Sequence, residues 1–588
     1  METRRAVCNL CEAICGLRVE VEDNHVVSLR GNPADPLSRG HVCPKAFALI
    51  DVHEDPDRLT RPVRRTADGW AEIGWDEAFD LVAERLVAVQ RQHGDDALAV
   101  YLGNPNVHSL GSLTHGTALL RTLGTRNRYS ATSVDQLPHQ LVAWQLYGHQ
   151  LLLPIPDIDR TDHLLVFGGN PMASNGSLMT VPDFPNRLRA LKARGGRLVV
   201  VDPRRTETAK VAEEHHFIRP GTDAVVLLAM LRSVIERGTP RIAEYVDGLA
   251  EVRDSLEPFT PEVAAAASGI PADVIRRLAG DLASAERAAV HGRVGVSTQR
   301  FGTVCQWAIQ LLNIVTGNLD HPGGTLLTHP AIDLVGRGLV GRGHLGRWHS
   351  RVRRLPEFGG ELPVATLADE MLTPGDGQVR ALLTVAGNPV LSTPAGARLD
   401  RALADLEFMA AVDFYVNETT RHADVILPPT SALERDHYDL VFHALAVRDT
   451  ARFTPAVLAP PPDARHDWEI FRELGLRVMR ARRPGPRGLR GLRGLRQRLA
   501  RRARLRTSPT RIVAAALLLS SRTGVTLRKL RAAPGGMDLG PLRPSLPDRL
   551  RTRDHRIDLA PRLLLDDLPH VAAELLTSGP PATRADLR

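Results

Sequence analysis

The sequence predicts an α/β fold, with a small β-rich N-terminal domain followed by two Rossmann-like α/β halves whose sheets are mostly parallel. Three observations predict it. Short unbroken apolar runs alternate with helical periodicity from about residue 75 onward, two of those runs open onto the same Gly-Asn-Pro tripeptide, and four of the five cysteines fall before residue 44. Strands buried on both faces read as continuous apolar runs, and helices interleaved between them are the crossovers of a parallel sheet.

The cysteines come first. CNLCEAIC places Cys8, Cys11 and Cys15 within one short stretch, and HVCPKA adds Cys43. Disulfides chiefly serve small secreted domains that lack a core. This chain has 588 residues, 43% of them hydrophobic, and METRRAVCNL offers no apolar run for a secretory leader, so several cored domains and reduced thiols are expected. Zinc sites usually arrange their ligands as two pairs. A C-x2-C-x3-C group closed by one remote cysteine suits instead the four thiolates of a 4Fe-4S cluster, with zinc as the alternative. Cys305, in the apolar run TVCQWAIQLL, reads as a buried structural cysteine. LRVEVEDNHVVSLRG alternates apolar and polar residues on both sides of Asp23-Asn24, the pattern of a β-hairpin. The cluster domain is therefore expected to span residues 1–58.

From residue 59 to 475 the pattern is that of the α/β region. WDEAFDLVAERLVAVQRQHG places its apolar residues at helical spacing before a closing glycine. ALAVYLGN, HLLVFGGN, RLVVVDP, AAVHGRVG, RALLTVAGN and FMAAVDF are the buried strands. Two segments repeat: Gly169-Asn170-Pro171 and Gly387-Asn388-Pro389 each follow a strand directly, and each is succeeded by a strand ending in aspartate, Asp202 and Asp413. A strand opening onto glycine lets the backbone approach a phosphate, and an acidic residue ending the neighbouring strand accepts bonds from ribose hydroxyls or guanine nitrogens. The repeat points to two related nucleotide-binding halves. Gly-Pro turns after strands are also common as plain turns.

Residues 480–511 contain thirteen arginines and no acidic residue, more than the whole formal charge of +8, so the rest of the chain is mildly acidic. Residues 476–511 are expected to be a flexible Arg/Gly-rich insertion rather than a nucleic-acid site, followed by a C-terminal segment, residues 512–588. No stretch reaches the roughly 18–20 apolar residues of a membrane span, so a soluble, cytoplasmic protein is expected.

With CNLCEAIC, Cys43-Pro44-Lys45 and the doubled Gly-Asn-Pro strands in place, the sequence resembles the molybdopterin oxidoreductases of the dimethyl sulfoxide reductase superfamily, which include formate dehydrogenases and nitrate reductases. VVVDPRRTETAKVAEEHHFIRPGTDAVVLLAM, LLNIVTGNLDHPGGTLL and NETTRHADVILPPTSALERD carry the resemblance further. It covers roughly residues 3–475. It implies a molybdenum or tungsten ion held by two molybdopterin guanine dinucleotides, a 4Fe-4S cluster on Cys8, Cys11, Cys15 and Cys43, and an electron-transfer partner protein or subunit. Lys45 matches the family lysine between cluster and pterin. Gly169, Asn170, Pro171, Asp202, Pro203, Arg204, Arg219, Pro220, Gly221, Thr222 and Asp223 match stretches along one dinucleotide, although Asp223 also fits a helix cap. Gly387, Asn388, Pro389, Asp413, Glu418 and Thr419 match the other.

In the family the metal's protein ligand lies in a loop that aligns with GTRNRYSATSVDQLPHQ. The resemblance puts Asp135, a hard oxygen donor, at that position, with Ser130, Ser133 or no protein ligand as the alternatives, and His139 four residues on as a candidate proton donor or, equally, a packed histidine. Asp135-Gln136 departs from the cysteine-histidine or selenocysteine-histidine pair of formate dehydrogenases. The implied reaction is therefore a two-electron redox step or oxygen-atom transfer on a small substrate, with formate dehydrogenase-type activity and a non-catalytic iron-sulfur carrier as alternatives. The resemblance leads one to expect a closing dinucleotide-binding domain for which the sequence shows no run of alternating strands, so the isolated chain is expected to retain metal-pterin weakly or not at all.

Overall fold

The structure, a computed structural model, describes residues 1–238, 240–482, 492–520 and 523–576. The strands that organise it are, in chain order, β1 (Glu2–Val7), β2 (Gly16–Glu22), β3 (His25–Gly31), β4 (Val63–Thr66), β5 (Gly69–Glu72), β6 (Leu98–Leu102), β7 (Asn127–Ser130), β8 (His163–Phe167), β9 (Arg197–Val201), β10 (Glu214–His216), β11 (Ala288–Gly292), β12 (Ala381–Val385), β13 (Phe408–Val412) and β14 (Val425–Ile426). They divide between two compact units that interleave along the sequence. The first comprises Met1–Val134, His344–Val441 and Ala451–Met537, and the second Asp135–Gly343, Phe442–Thr450 and Asp538–Arg588.

In the first unit β1, β2 and β3 form an antiparallel sheet. The expected hairpin joins β2 to β3, with Asp23 and Asn24 both in the left-handed region at φ 49° and 65°, the conformation a tight two-residue hairpin turn requires. Alternation along β2 buries Leu17, Val19 and Val21 beside Cys8 and Cys15.

The larger sheet of this unit has the order β5-β4-β14-β13-β12-β6-β7. Its strands β14 to β7 are parallel, and the β4–β5 hairpin adds an antiparallel edge. Alternate residues of each buried strand serve opposite faces. Leu98, Val100, Leu383, Val385, Ala410 and Val412 pack on the helices Trp75–His93 and Asp467–Ala481, while Ala99, Tyr101, Leu382, Met409 and Ala411 pack on Leu367–Leu372 and Gly396–Ala404. The apolar runs are continuous because both faces are covered.

The second unit holds a four-stranded parallel sheet in the order β10-β9-β8-β11. Helix Asp223–Glu236 is buried along most of its length. Cys305 lies fully buried in helix Gly302–Val315, its thiol pushed up by burial. The chain beyond residue 538 adds to this unit: Ile557–Asp558 pairs with Val246–Asp247, and the Trp307 indole donates to the Leu559 carbonyl at 2.9 Å.

Part of the arginine-rich segment is helical. Residues 476–481 continue helix Asp467–Ala481, and Leu492–Arg506 is a second helix. Leu505 is fully buried against Gly475, and Arg504 Nε donates to the Thr114 carbonyl at 3.1 Å. Arginine is a good helix former. Residues 483–491 lie outside the described residues. Among the described residues no helix is long and apolar enough to cross a membrane.

Candidate cofactor-binding site

The cysteine loop is built by the ends of β1 and β2. Cys8 follows β1, Cys15 precedes β2, and the Cys8 N–H donates to the Cys15 carbonyl at 2.9 Å, closing residues 8–15 into a loop. Cys43 precedes the short turn Pro44–Phe47 that carries the exposed Lys45. All four are free thiols, Cys8 and Cys15 buried. Burial pushes the Cys8 thiol up to about 12 and raises Cys11 and Cys15 as well, and the charges of neighbouring thiols add to the shift. The Leu10 and Ala13 amides and Lys45 work the other way, favouring the thiolates of Cys8 and Cys11.

Buried thiols that repel one another as thiolates fit a cationic centre. Among the described residues no group of three or more His, Cys, Asp or Glu that could hold a metal ion is found. Cys8, Cys11, Cys15 and Cys43 nevertheless act on one another through their charges, and four sulfur donors are the ligand type and number that a 4Fe-4S cluster takes, as a four-cysteine zinc site also does.

In the second unit the order β9-β8-β11 makes the carboxyl end of β8 a switch point, where ligands of open parallel sheets bind. Gly168, at φ 54°, follows β8 and lies against Gly295 beyond β11; a Cβ on Gly168 would stand 2.8 Å from the Gly295 Cα. Asn170 then ties the Gly-Asn-Pro loop to helix Glu207–Val211: its Nδ2 donates to Glu207 at 2.7 Å, and its Oδ1 accepts from the Thr208 hydroxyl at 2.8 Å and amide at 3.1 Å. Asp202 ends β9 and accepts the Arg204 N–H at 2.8 Å.

Asp223 is buried and accepts from Gln299 Nε2 at 2.7 Å. Burial raises its carboxyl to about 6, and the charge of Asp202 contributes, so these two carboxyls share one environment. Thr222, not Asp223, is the N-cap residue of the helix. Pro220 and Gly221, at φ 85°, form the turn before it. Pro203 and Arg204 are exposed, Arg204 standing 3.8 Å from Glu207. Arg219 differs: its guanidinium donates to the Ala266 and Ala267 carbonyls at the end of helix Pro261–Ser268.

The first unit repeats this arrangement at the switch point between β12 and β6. Ala386, at φ 47°, follows β12, and a Cβ on Gly387 would meet the Gly103 Cα at 2.8 Å. Asn388 Nδ2 donates to Glu418 at 2.7 Å and its Oδ1 accepts from the Thr419 hydroxyl at 2.7 Å. Pro389 starts the next helical turn, as Pro171 does. Asp413 ends β13 and accepts the Phe414 N–H at 2.7 Å; burial raises it to about 6.

Glu207, Thr208, Gly295 and Gln299 were not singled out by the sequence reading. The first two had a signal: Asp202 and Asp413 are each followed at the same spacing by Glu-Thr, in DPRRTET and DFYVNET.

The metal-ligand candidates separate. Asp135 Oδ1 accepts from Arg293 Nη1 at 2.6 Å, with the arginine side chain 10% and the aspartate side chain 38% exposed. Ser130 donates to Glu361 and Thr132, and Ser133 Oγ accepts the Val364 N–H at 3.0 Å. His139 is buried, its Nε2–H donating to the Gly292 carbonyl at 3.0 Å and its Nδ1 facing the Ser297 hydroxyl at 3.4 Å. Burial and the Arg293 charge lower it to about 3. The ring is packed between the Gly292 carbonyl and the Ser297 hydroxyl.

The Molybdopterin oxidoreductase family matches residues 58–477, and the Molybdopterin oxidoreductase Fe4S4 domain matches residues 1–54. The thiosulfate reductase molybdopterin-containing subunit of Salmonella typhimurium is 27% identical over 510 residues, 80% of this chain and 63% of that protein. Formate dehydrogenase H of Escherichia coli is 28% identical over 80% of this chain and 68% of its own length, and nitrate reductase of Symbiobacterium thermophilum 27% over 81% and 65%. The chain thus spans less than two thirds of two of these three relatives. Acetylene hydratase from Pelobacter acetylenicus shares the fold, with a TM-score of 0.76 at 18% identity over 96% of this chain and 78% of its own.

Proposed function

This chain belongs to the molybdopterin oxidoreductase family, and from that premise we propose that it binds molybdenum or tungsten as the bis-molybdopterin guanine dinucleotide beside one 4Fe-4S cluster and performs a two-electron redox reaction or oxygen-atom transfer on a small substrate. The observation that carries this reading is the repeated clasp: two parallel sheets, each with a glycine contact at its switch point and an Asn–Glu–Thr tie behind it. Two such halves match the two nucleotide tails of one cofactor.

Cys8, Cys11, Cys15 and Cys43 are the residues that hold the cluster. Gly169, Asn170 and Pro171 with Asp202 and Asp223 serve one dinucleotide, and Gly387, Asn388 and Pro389 with Asp413 serve the other. The glycines let backbone amides approach phosphate, and the strand-end aspartates accept bonds from ribose or guanine N–H groups. Glu207, Thr208, Glu418 and Thr419 hold the loops in shape. Asp135 offers a hard oxygen donor, oriented by Arg293. The metal-pterin group supplies the two-electron chemistry when bound. Lys45 places a cation beside Cys8 and Cys11, where it favours negative charge arriving at the cluster. A redox partner protein completes the path, since one cluster is not a final electron sink, and a soluble cytoplasmic setting is part of the same reading.

A formate dehydrogenase-type activity is the second reading, favoured by relatives named formate dehydrogenase H and F420-dependent formate dehydrogenase. Asp135-Gln136 stands against it.

Elemental and nucleotide analysis of anaerobically purified chain tests the proposal. The expected result is about four irons per chain, with molybdenum or tungsten accompanied by about two acid-released guanine nucleotides per metal. Iron alone after cofactor-supplemented expression overturns the enzyme reading in favour of a non-catalytic carrier, and zinc in place of iron overturns the cluster.

A further inference from the structure

We propose that Arg452 and Asp35 form a buried clamp on the backbone flanking Cys15, which positions that thiolate and sets the reduction potential of the cluster. The inference rests on the cluster reading given above and adds two residues to it.

Arg452 and Asp35 are 5% and 2% exposed, and Arg452 Nη1 donates to Asp35 Oδ1 at 2.5 Å. Each also reaches the cysteine loop. Arg452 Nη2 donates to the carbonyl of Ile14, the residue before Cys15. Asp35 Oδ2 accepts the N–H of Gly16, the residue after Cys15, at 3.2 Å, and the Ser38 N–H at 3.0 Å. Ser38 Oγ donates to Asp35 and accepts the Gly16 N–H at 3.0 Å. Both peptides around the third cysteine are therefore held by one charge pair.

The local backbone shows why a clamp is needed. Ile14 has φ 41°, a region β-branched residues avoid, and such a conformation persists only where its surroundings enforce it. Gly16 is fitted to the clamp: a Cβ there would lie 2.6 Å from the Asp35 Cβ and 2.9 Å from Arg452 Nη1. A buried ion pair contributes little net stability of its own, because desolvation offsets its attraction. Two buried charges beside a redox centre do act on that centre, since in a low-dielectric surrounding their field is poorly screened.

The sign follows from the arrangement. When the cluster takes up one electron it gains one negative charge, with no proton transferred and no bond made or broken. The Arg452 guanidinium, bonded to the Ile14 carbonyl beside Cys15, places a buried positive charge next to that residue, and positive charge favours the reduced cluster. Asp35 opposes it. Hydrogen bonding and net charge near the thiolates are the protein's means of setting such potentials.

The test is a dithionite titration of the whole chain followed by electron paramagnetic resonance, on the wild type, Arg452→Gln, Arg452→Lys and Asp35→Asn, with iron counted in each. Arg452→Gln is expected to lower the midpoint, Asp35→Asn to raise it, and Arg452→Lys to stay near wild type. Shifts of the two charge-removing variants in the same direction, or none in either, overturn the proposal, because a merely structural clamp loosens the same loop in both. Should Arg452→Gln lose its iron, Asp35→Asn decides alone: a raised midpoint supports the clamp, and an unchanged or lowered one overturns it. A wild-type chain without iron gives no midpoint at all and overturns the cluster reading itself.

Discussion

Asn170 and Asn388 make matching hydrogen bonds in separate halves of the chain: each donates Nδ2 to a glutamate at 2.7 Å, Glu207 or Glu418, and each accepts at Oδ1 from the following threonine hydroxyl, at 2.8 Å from Thr208 or 2.7 Å from Thr419. The same threonines accept backbone amides of the loops, Met172 N–H at 3.0 Å and Val390 N–H at 3.2 Å. The loop is thus tied at its side chain and its backbone by a single dipeptide.

Asn170→Ala and Asn388→Ala each remove this tie from one half. Each lost neutral hydrogen bond costs about 0.5–1.5 kcal/mol, enough to loosen the loop while leaving the sheet intact. The expected outcome is a fall in bound guanine nucleotide with circular dichroism unchanged, and a larger fall in the double variant. Full nucleotide retention in both single variants removes the loops from the site.

Asp223 makes stability depend on pH in an unusual direction. Its folded-state value of about 6 lies above the unfolded 3.8, so between these values the folded chain binds more protons than the unfolded one. Stability from this group is therefore full below pH 4 and declines as pH rises through 6, by on the order of 2–3 kcal/mol. Asp223→Asn carries no such titration. Melting curves of the two proteins from pH 4 to 7 should diverge, the variant gaining relative to wild type as pH rises; parallel curves refute the assignment.

The chain's architecture was legible because the parallel strands are buried on both faces, so HLLVF and ALLTV are apolar apart from the buried His163 and Thr384. The hairpin was legible because Asp23 and Asn24 tolerate positive φ. Glu207 and Thr208 were missed although their spacing from Asp202 repeats that of Glu418 and Thr419 from Asp413, since two short polar residues carry no periodicity. Arg452 was invisible for a different reason: its partner Asp35 and the Ile14 carbonyl are joined to it only by tertiary folding. The burial of His139 against Gly292 was not legible either, because its position four residues after Asp135 says nothing of what packs on it.

Leu505 tests the ordered part of the arginine-rich segment. It is fully buried against Gly475 of the preceding helix, so Leu505→Ala should lower the stability measured by urea unfolding by about 2–4 kcal/mol. A flexible surface segment predicts a change within about 0.5 kcal/mol. Hydrogen exchange over residues 499–506 gives an independent measure, slow in the wild type and fast in the variant.

Asp135 and Arg293 test the metal ligand. The carboxylate is more than one third exposed, so its ion pair contributes no more than about 1 kcal/mol. Arg293 also keeps its bond to Ser177 when Asp135 is removed, which leaves the guanidinium anchored. Asp135→Ala is therefore expected to melt near the wild-type temperature. If Asp135 ligates the metal, the same substitution removes an oxygen donor. Viologen-linked turnover, read on whichever of nitrate, thiosulfate and formate the wild-type chain accepts, should then fall on the order of 100-fold, and X-ray absorption at the metal edge should show one oxygen fewer. Ser130→Ala and Ser133→Ala, whose hydroxyls are engaged with Glu361 and Val364, should leave both readouts unchanged. Retained turnover and an unaltered metal spectrum in Asp135→Ala would assign its carboxylate to holding Arg293 alone.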